Sequence, residues 1–517
     1  MIVDLLKRSL GVKDLAAMCL SLPAQLLEPI PNLEYWMVLD RPDLFAAIND
    51  SPEPLGRMLA VLRWAFSKEL KFIRGKICKP YNSVLGEHFR CHYDVRPVEY
   101  DDNDPTNAPT QHLHLFVEEP EPAPEPAPTK SRFGGWSPFG AGAATPKEGP
   151  AKDKVNASLQ IESNLAAGVS NLSLNTLQHL ANPPAGKEIE EDVAPGETIR
   201  VVYLTEQVSH HPPISAFYAA CPARGLEAEG IDQISARVSG TTVRIMPGTA
   251  NKGVFIRITS GNGAGESYRV TLPTAQVNGI LRGSFYPTIS DSVIVTCSGG
   301  AQPGTKLRAV IEYKEESWLG KPQFLVEGVI HTYEDDDFTS FASTSISDDS
   351  ASVKSGQSKG SKIRKPDIDK EVKEHSDWTK VKHVPKERIV AQFEGTWKKS
   401  LRWRKMENGA PVGEWRTLLD LSTLAVFPKE VRPVQEQAPF ESRRLWEKVT
   451  DNLLRKEFGE ATRAKVNIEQ AQRDRAAERK RKGEEFVPAY FESDLERGWS
   501  ELTEAGRQAV QEELARQ

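Results

Sequence analysis

Apolar and polar residues along this chain follow two periods, which separate helical outer sections from a long middle section of short strands. From about residue 32 to 72, apolar residues recur every three to four positions, a spacing that predicts helices. Beyond Phe89 the pattern changes to short β-rich runs between Gly, Pro and Asn-Gly breaks. From about Pro433 the chain returns to helical spacing, so the pattern predicts an α+β protein.

The middle section predicts a large antiparallel sheet. Candidate strands lie at residues 199–204, 254–259, 269–272, 293–297 and 307–313. The last run places Ile311 and Tyr313 on one face and Arg308 and Glu312 on the other, as a strand with one buried face does. Many strands at close spacing favour one large barrel, and a barrel too wide to be filled by its own side chains encloses a cavity.

Two segments lack the apolar content needed to bury a core, and we predict that both are disordered insertions. The first, about 118–192, contains EEPEPAPEPAPTK and then a Gly/Ala/Ser/Asn-rich tract, and the second, about 334–376, is rich in Ser, Asp and Lys. They interrupt a predicted single domain at residues 41–517. Residues 1–40 have leucines at helical spacing, which by itself predicts a helix packed on the core.

Composition restricts the possible partners and location. A formal net charge of −6 gives no overall attraction to nucleic acid or to an anionic bilayer, so any membrane contact must be local, with residues 473–482 as a basic candidate. No apolar run reaches the ~18 residues of a membrane span, and no signal peptide is recognisable, which predicts a cytosolic protein. An odd number of cysteines without a CxxC pair predicts reduced, buried thiols.

Four short motifs carry candidate chemistry. Residues 206–213 read EQVSHHPP, in which two prolines fix a turn that presents His210 and His211 together. Residues 79–87 read KPYNSVLGE, and residues 439–443 read PFESR. The fourth motif is a ladder at i, i+4 and i+8, a spacing that places its members on one helical face. Its members are Lys465, Glu469 and Arg473.

Each motif alone also has an ordinary structural explanation, as a turn, a surface pair or a solvated helix face. An enzyme is a further alternative, because His88 and His92 have the i, i+4 spacing of metal ligands on a helix. Their segment alternates as a strand, however, which separates the two imidazoles by about 13 Å at ~3.3 Å per residue. No HExxH, GxSxG or phosphate-loop motif is present. We therefore expect no catalysis, cofactor or metal.

Taken together and in this order, the motifs resemble the signatures of the oxysterol-binding-protein-related lipid-transfer family, from about residue 22 to about residue 490. The resemblance implies a large incomplete antiparallel β-barrel that encloses a lipid tunnel. Residues 1–40 form a lid in this arrangement, and helices precede and follow the barrel in the sequence. It also implies a clamp for an inositol phosphate headgroup. Its residues are Lys79, His210, His211, Lys465, Glu469 and Arg473.

Family members exchange phosphatidylinositol 4-phosphate for sterol or for phosphatidylserine in the same tunnel. The phrases FRCHYDV, PPISAFY and LPTAQVNGILRG are similar to the phosphatidylserine-carrying subgroup. The resemblance then implies that Asn82 contacts the serine headgroup and that Leu26 and Leu27 of the lid contact the second lipid. Two alternative functions remain open, namely exchange of sterol for phosphatidylinositol 4-phosphate and a non-transporting lipid sensor or scaffold. The expected setting is cytoplasmic, peripheral on anionic membranes at contact sites between endoplasmic reticulum and plasma membrane.

Overall fold

The computed structural model describes residues 28–68, 70–74, 80–118, 186–189, 197–239, 242–278, 286–301, 304–316, 322–334 and 378–516. Several predictions fall on other parts of the chain. Most of the predicted lid and most of both predicted insertions lie outside the described residues, as do three candidate lipid contacts. These contacts are Leu26, Leu27 and Lys79.

Four helices open the described chain, as the three-to-four spacing predicts. They are α1 (Asn32–Tyr35), α2 (Pro42–Ala46), α3 (Pro54–Ser67) and α4 (Lys71–Arg74). Helix α3 is buried on nearly all sides, which is typical of a helix inside a core. Its two arginines are buried as well. Arg57 forms a double hydrogen bond with Glu266, at 2.8 and 2.5 Å, and Arg63 donates to the Leu418 carbonyl at 2.9 Å.

The middle of the chain forms eighteen described strands. They are β1 (His88–Val95), β2 (Leu115–Glu118), β3 (Gly186–Ile189), β4 (Ile199–His210), β5 (Pro213–Cys221), β6 (Leu226–Asp232), β7 (Ile234–Ser239), β8 (Thr242–Pro247), β9 (Val254–Ile258), β10 (Glu266–Val270), β11 (Thr274–Asn278), β12 (Tyr286–Ser290), β13 (Ser292–Gly299), β14 (Thr305–Tyr313), β15 (Leu325–Glu334), β16 (Ile389–Thr396), β17 (Ser400–Glu407) and β18 (Ala410–Asp420).

Twelve of these strands form one antiparallel sheet in the order β1-β4-β5-β6-β9-β10-β13-β14-β15-β16-β17-β18. Strands β1 and β18 are its two ends, so the sheet is not closed, and the prediction of a large incomplete antiparallel barrel is confirmed. Inward-facing strand residues such as Ile256, Val295 and Ile311 share one buried apolar cluster with Met58 and Leu62 of α3. The helix therefore occupies part of the space that the sheet surrounds.

The predicted alternation in β14 is confirmed, because Ala309 and Ile311 join this inner cluster whereas Val310 packs with Val329 and Trp378 on the other face. The predicted strand at 269–272 is displaced, since β10 runs from Glu266 to Val270. Its first residue looks like a loop residue in the sequence. In the fold, its carboxylate is buried against an arginine of α3.

A second sheet, in the order β12-β11-β8-β7, extends from the barrel. The β7–β8 hairpin connects β6 to β9, and the β11–β12 hairpin connects β10 to β13. The strand registers put these connections at the edge where β4 ends and β5 begins, because Ser215 pairs with Asp232 and Val254 pairs with both Gly230 and Val270. This edge is called the mouth below.

Three longer helices follow the barrel, as predicted. They are α5 (Ser442–Leu454), α6 (Phe458–Lys482) and α7 (Glu504–Leu514). Helix α6 ends at Gly483, whose φ of 68° is the left-handed conformation that favours glycine at a helix C-terminus. Helix α7 lies against β1 and β4, and its buried Glu513 approaches Arg90 and His92, at 3.5 and 3.2 Å. The last described helix thus covers the first described strand.

Strands β2 and β3 pair with each other and hold the two sides of the first predicted insertion together. Within the predicted disordered range 118–192, the described residues 186–189 form a strand, which differs from the prediction. Only Glu334, the last residue of β15, is described in the range 334–376. The three described cysteines, Cys91, Cys221 and Cys297, are buried and free, as predicted.

Candidate functional site

The histidine pair lies at the turn between β4 and β5. Strand β4 ends at His210 and β5 begins at Pro213, so His211 and Pro212 form the connection, with a cis peptide bond between them. The two imidazole centroids are 4.6 Å apart, and the ring planes meet at 67°. His210 is half-buried and His211 is exposed. The predicted proline turn that presents both rings together is confirmed.

The two imidazoles have different surroundings. Burial lowers the pKa of His210 below its ordinary value, and the nearby His211 lowers this pKa further. A hydrogen bond with the Ser83 backbone and the charge of Glu469 act in the opposite direction. The lowered pKa favours the neutral form of the His210 ring. An anion beside the ring would favour its protonated form, so this residue can take up a proton when a phosphate binds.

The described part of the KPYNSVLGE motif lies beside this turn. Gly86 N–H donates to the Gln207 carbonyl at 2.9 Å, and Gln207 N–H donates to the Glu87 carbonyl at 2.7 Å. These bonds bring residues 80–86, called the headgroup loop below, next to β4. Asn82 is half-buried in this loop and directly precedes Ser83. The structure thus brings the second motif to the first, as their proposed shared site requires.

Glu87 connects the headgroup loop to α5. Its side chain is fully buried and accepts hydrogen bonds from Val84 N–H at 3.0 Å, Ser442 Oγ at 2.8 Å and Trp446 Nε1 at 3.1 Å. Burial raises the pKa of Glu87 to about 7, although all three donors oppose this shift. Tyr81 also stacks on Trp446, with centroids 4.7 Å apart. The PFESR motif therefore helps to hold the headgroup loop.

The ladder lies on one face of α6, as predicted. Lys465 Nζ donates to Glu469 Oε1 at 2.6 Å, and Arg473 Nη2 lies 3.9 Å from Glu469 Oε2. The Lys465 side chain is 5% exposed, whereas that of Arg473 is 62% exposed. Glu469 is also near enough to His210 to raise the pKa of that imidazole. Its predicted place between the two cations is confirmed, whereas its contact with inositol stays a prediction.

Further along α6, the basic stretch 473–482 is not simply a solvated face. The Arg475 guanidinium lies 4.9 Å from the Phe440 ring centroid, and that of Arg479 lies 5.7 Å from Phe486. These are distances at which a cation is attracted to an aromatic face. Two of the cations that the sequence offers for membrane contact thus pack on aromatic side chains of the protein.

An apolar cavity of about 40 Å³ lies near the mouth, between the ends of α3 and α4 and the inner face of the sheet. Phe66, Val270, Ile311 and Trp397 line it, together with Lys68. The cavity shows that the interior at this end is apolar. The continuous lipid tunnel implied by the family resemblance stays a prediction.

The prediction that His88 and His92 lie on a strand is confirmed, and the two rings have different partners. His88 packs on Tyr490 with centroids 4.8 Å apart, and His92 Nδ1 lies 3.2 Å from Glu513. Within the described ranges, no group of three or more His, Cys, Asp or Glu side chains could hold a metal ion. In the same ranges, no helix has both the length and the apolar composition of a membrane span.

Sequence reasoning missed the roles of two motif glutamates. Glu206, the first residue of EQVSHHPP, is buried, and its carboxylate accepts the N–H groups of Ala489 and Tyr490, both at 2.8 Å. It anchors the C-terminal segment to β4. Glu87 similarly anchors α5 to the headgroup loop. An acidic residue within an apolar run signals a buried carboxylate, but its partners lie hundreds of residues away in sequence.

Comparison with known proteins gives consistent matches. The family model described as oxysterol-binding protein matches residues 1–114 and 188–509, and the gap between these ranges falls on the first predicted insertion. Oxysterol-binding protein-like protein 1 of Schizosaccharomyces pombe is 35% identical over 533 aligned residues, which cover 100% of this chain and 91% of that protein.

Two solved structures have a similar fold. The Osh1 ORD domain in complex with cholesterol has a TM-score of 0.54 at 15% identity, over 98% of this chain and 88% of that one. The Osh3 ORD in complex with PI(4)P from Saccharomyces cerevisiae has a TM-score of 0.51 at 14% identity, over 99% of this chain and 93% of that one. With a family match over most of its length, this chain belongs to the oxysterol-binding protein family.

Proposed function

We propose that this protein is a lipid-transfer protein that exchanges phosphatidylserine for phosphatidylinositol 4-phosphate between membranes. The main support is the gathering of His210, His211, Lys465 and Glu469 beside the headgroup loop at the mouth of an unclosed barrel. Family membership and the PI(4)P-bound Osh3 neighbour support the same ligand class. The role is binding and transport rather than catalysis.

In this proposal each site residue has a distinct task toward the inositol phosphate. The imidazoles of His210 and His211 donate to phosphate, and His210 takes up a proton as the ligand enters. Lys79 and Lys465 supply fixed positive charge, and Arg473 adds a more exposed one. Glu469 holds the cations of the ladder and accepts from inositol hydroxyls. A polyanionic headgroup needs this combination of cations and donors, because phosphate oxygens only accept.

The second lipid is assigned to phosphatidylserine from the sequence phrases that are similar to that subgroup. Asn82 would hydrogen-bond the serine headgroup, and Leu26 and Leu27 would contact the acyl chains from the lid at residues 1–40. Sterol is the second candidate, because the Osh1 neighbour is in complex with cholesterol. The two candidates share the inositol phosphate site and differ in what fills the interior.

The proposal also includes the arrangement of the chain and its cellular setting. Residues 41–517 form one lipid-binding domain, into which the ranges 118–192 and 334–376 are inserted. The protein works in the cytoplasm, where it touches anionic membranes peripherally at contact sites between the endoplasmic reticulum and the plasma membrane. It needs neither a cofactor nor nucleic acid for this activity.

Transfer between liposomes tests the proposal. Donor vesicles carry phosphatidylinositol 4-phosphate, and acceptor vesicles carry phosphatidylserine or sterol. Replacing His210 and His211 with Ala should reduce extraction of the phosphoinositide about a hundredfold or more, because two hydrogen bonds to a charged group are lost. The thermal midpoint should change little, since His211 is exposed and His210 is only half-buried at a turn. Undiminished extraction would refute the headgroup site, and binding without net transfer would instead favour a lipid sensor.

A further inference from the structure

The Glu87 side chain has an unusual environment for a carboxylate. It is fully buried, and its three hydrogen bonds come from a backbone amide, a hydroxyl and an indole, all of them neutral groups. Burial of a carboxylate against neutral donors is unfavourable relative to water, which agrees with its raised pKa of about 7. An ionisable group at this position therefore does little for stability as such.

The three donors of Glu87 belong to two parts of the site. Val84 lies in the headgroup loop, whereas Ser442 and Trp446 lie one turn apart on α5. Oxygen Oε1 accepts from Ser442, and Oε2 accepts from both Val84 and Trp446. One carboxylate thus fixes the distance between the loop backbone and the helix.

The position of the headgroup loop also affects the histidine pair. Val84 directly follows Ser83, whose backbone hydrogen-bonds with the His210 ring. The path therefore runs from α5 through Glu87 to the loop and then to the imidazole. Displacement of the loop by an ångström would move the hydrogen-bond partner of His210 and change the burial of its ring.

We propose that Glu87 is a positioning residue for the phosphoinositide site, acting through the headgroup loop on His210. This inference rests on the function proposed above. Glu87 positions the loop through the placement of its two acceptor oxygens, and its negative charge is not needed for this. An amide can reproduce that geometry, because the Ser442 hydroxyl also lies 3.2 Å from the His88 carbonyl and can donate there while it accepts from the amide N–H₂.

Four variants test this proposal. Glu87→Met keeps the approximate volume and removes the acceptors, Glu87→Asp shortens the reach, and Glu87→Gln retains the geometry. As a matched control, Glu206→Met removes another buried motif carboxylate, whose donors lie in the C-terminal segment. Extraction of phosphatidylinositol 4-phosphate from liposomes, the thermal midpoint and NMR titration of the His210 ring are measured for each.

We expect Glu87→Met to reduce extraction about tenfold and to move the pKa of His210 toward its ordinary value, because burial is the main cause of its shift. Glu87→Asp should have an intermediate effect, and we expect it to fold even if the Met variant does not, because it keeps a carboxylate at this buried position. Glu87→Gln should stay within about threefold of wild type. Glu206→Met should lower the thermal midpoint without changing the His210 titration.

Two outcomes would overturn the inference. One is unchanged extraction and unchanged His210 titration in both Glu87→Met and Glu87→Asp. The other is a loss in Glu87→Gln as large as in Glu87→Met, since the charge would then matter more than the geometry. If the His210 and His211 double variant still extracts the phosphoinositide, the proposed function itself fails. If only that double variant loses extraction, the site stands and Glu87 has no positioning role.

Discussion

The inner and outer parts of the proposed headgroup site are held in different ways. Lys465 and Glu87 are almost completely buried, and each has partners at hydrogen-bond distance on neighbouring elements or turns. His211 and Arg473 are exposed, and Arg473 approaches its ladder partner only to 3.9 Å. The inner residues are therefore fixed before a ligand arrives. The outer ones are free to adjust, and their contribution is screened by salt.

This difference separates residues that one motif would group together. Lys465 and Arg473 are both cations of the same ladder, and Glu206 and His211 belong to the same octapeptide. In each pair one member is buried by the fold and the other is open to solvent. Burial, and not membership in a motif, should decide how large the effect of each substitution is.

Lys465→Ala should give the largest effect. The variant loses a buried cation and removes the nearest positive charge from the Glu469 carboxylate, beside the place where the phosphate is expected to bind. Extraction of phosphatidylinositol 4-phosphate should therefore fall on the order of a hundredfold or more. The thermal midpoint should fall as well. The double variant Lys465→Met with Glu469→Gln is the matched control, because it removes both charges. A single variant that extracts as well as wild type would contradict the assignment of Lys465 to the inner part.

Asn82→Ala should have the next largest effect, on the second lipid. Loss of one hydrogen bond to the charged serine headgroup corresponds to about ten- to a hundredfold in affinity, so phosphatidylserine transfer should weaken by this factor. Extraction of the phosphoinositide should change much less, because it depends on the cations and imidazoles. Efficient sterol transport by the wild-type protein, with no detectable phosphatidylserine transport, would instead favour the sterol alternative.

Glu87→Gln should change the pH dependence of stability. The pKa of Glu87 is raised to about 7 in the folded protein. Between the ordinary carboxyl pKa and about pH 7, the folded protein therefore keeps a proton on Glu87 that the unfolded chain has already lost. This contribution therefore lowers wild-type stability as pH rises through that window, and the cost is complete above about pH 7. The Gln variant does not carry this cost. Its free energy of unfolding, relative to that of wild type, should therefore rise with pH by on the order of 2 kcal/mol. Urea unfolding at about pH 5.5 and pH 8 measures this difference, and parallel pH profiles would contradict it.

Arg473→Ala should give the smallest effect. An exposed cation contributes about 1 kcal/mol or less, so extraction should fall only severalfold and should approach wild type at high salt. Lys482→Ala at the end of the same helix is a control for the loss of one exposed positive charge. A loss at Arg473 as large as at Lys465 would show that exposure does not separate the two parts of the site.

Much of this arrangement is predictable from local patterns. The alternation in β14, the spacing of the ladder in α6 and the two prolines after the histidines each depend on neighbouring residues, and each is found as predicted. The large antiparallel barrel also follows from many strands at short intervals, whereas its incomplete closure was implied by the family resemblance and not by the strand pattern. These features are local, so the order of residues is enough to indicate them.

The features that were not predictable depend on contacts between distant segments. Glu266 looks polar in the sequence, yet it is buried because Arg57 reaches it from inside the sheet. Glu87 and Ser442 are 355 positions apart, and Glu206 and Tyr490 are 284 apart. The small sheet of β7, β8, β11 and β12 likewise requires two separate hairpins to meet. No periodicity within a single segment indicates such pairings.

An unclosed sheet has two free edges, and such edges can recruit strands from other copies of the chain. Here one edge is covered, because His92 N–H and C=O both bond to the backbone of Glu430, and His88 N–H bonds to the Phe440 carbonyl. The other edge, β18, is interrupted by Pro411, by Gly413 at a φ of 77° and by two irregularities in its register with β17. The barrel thus keeps its gap without offering a regular template for aggregation.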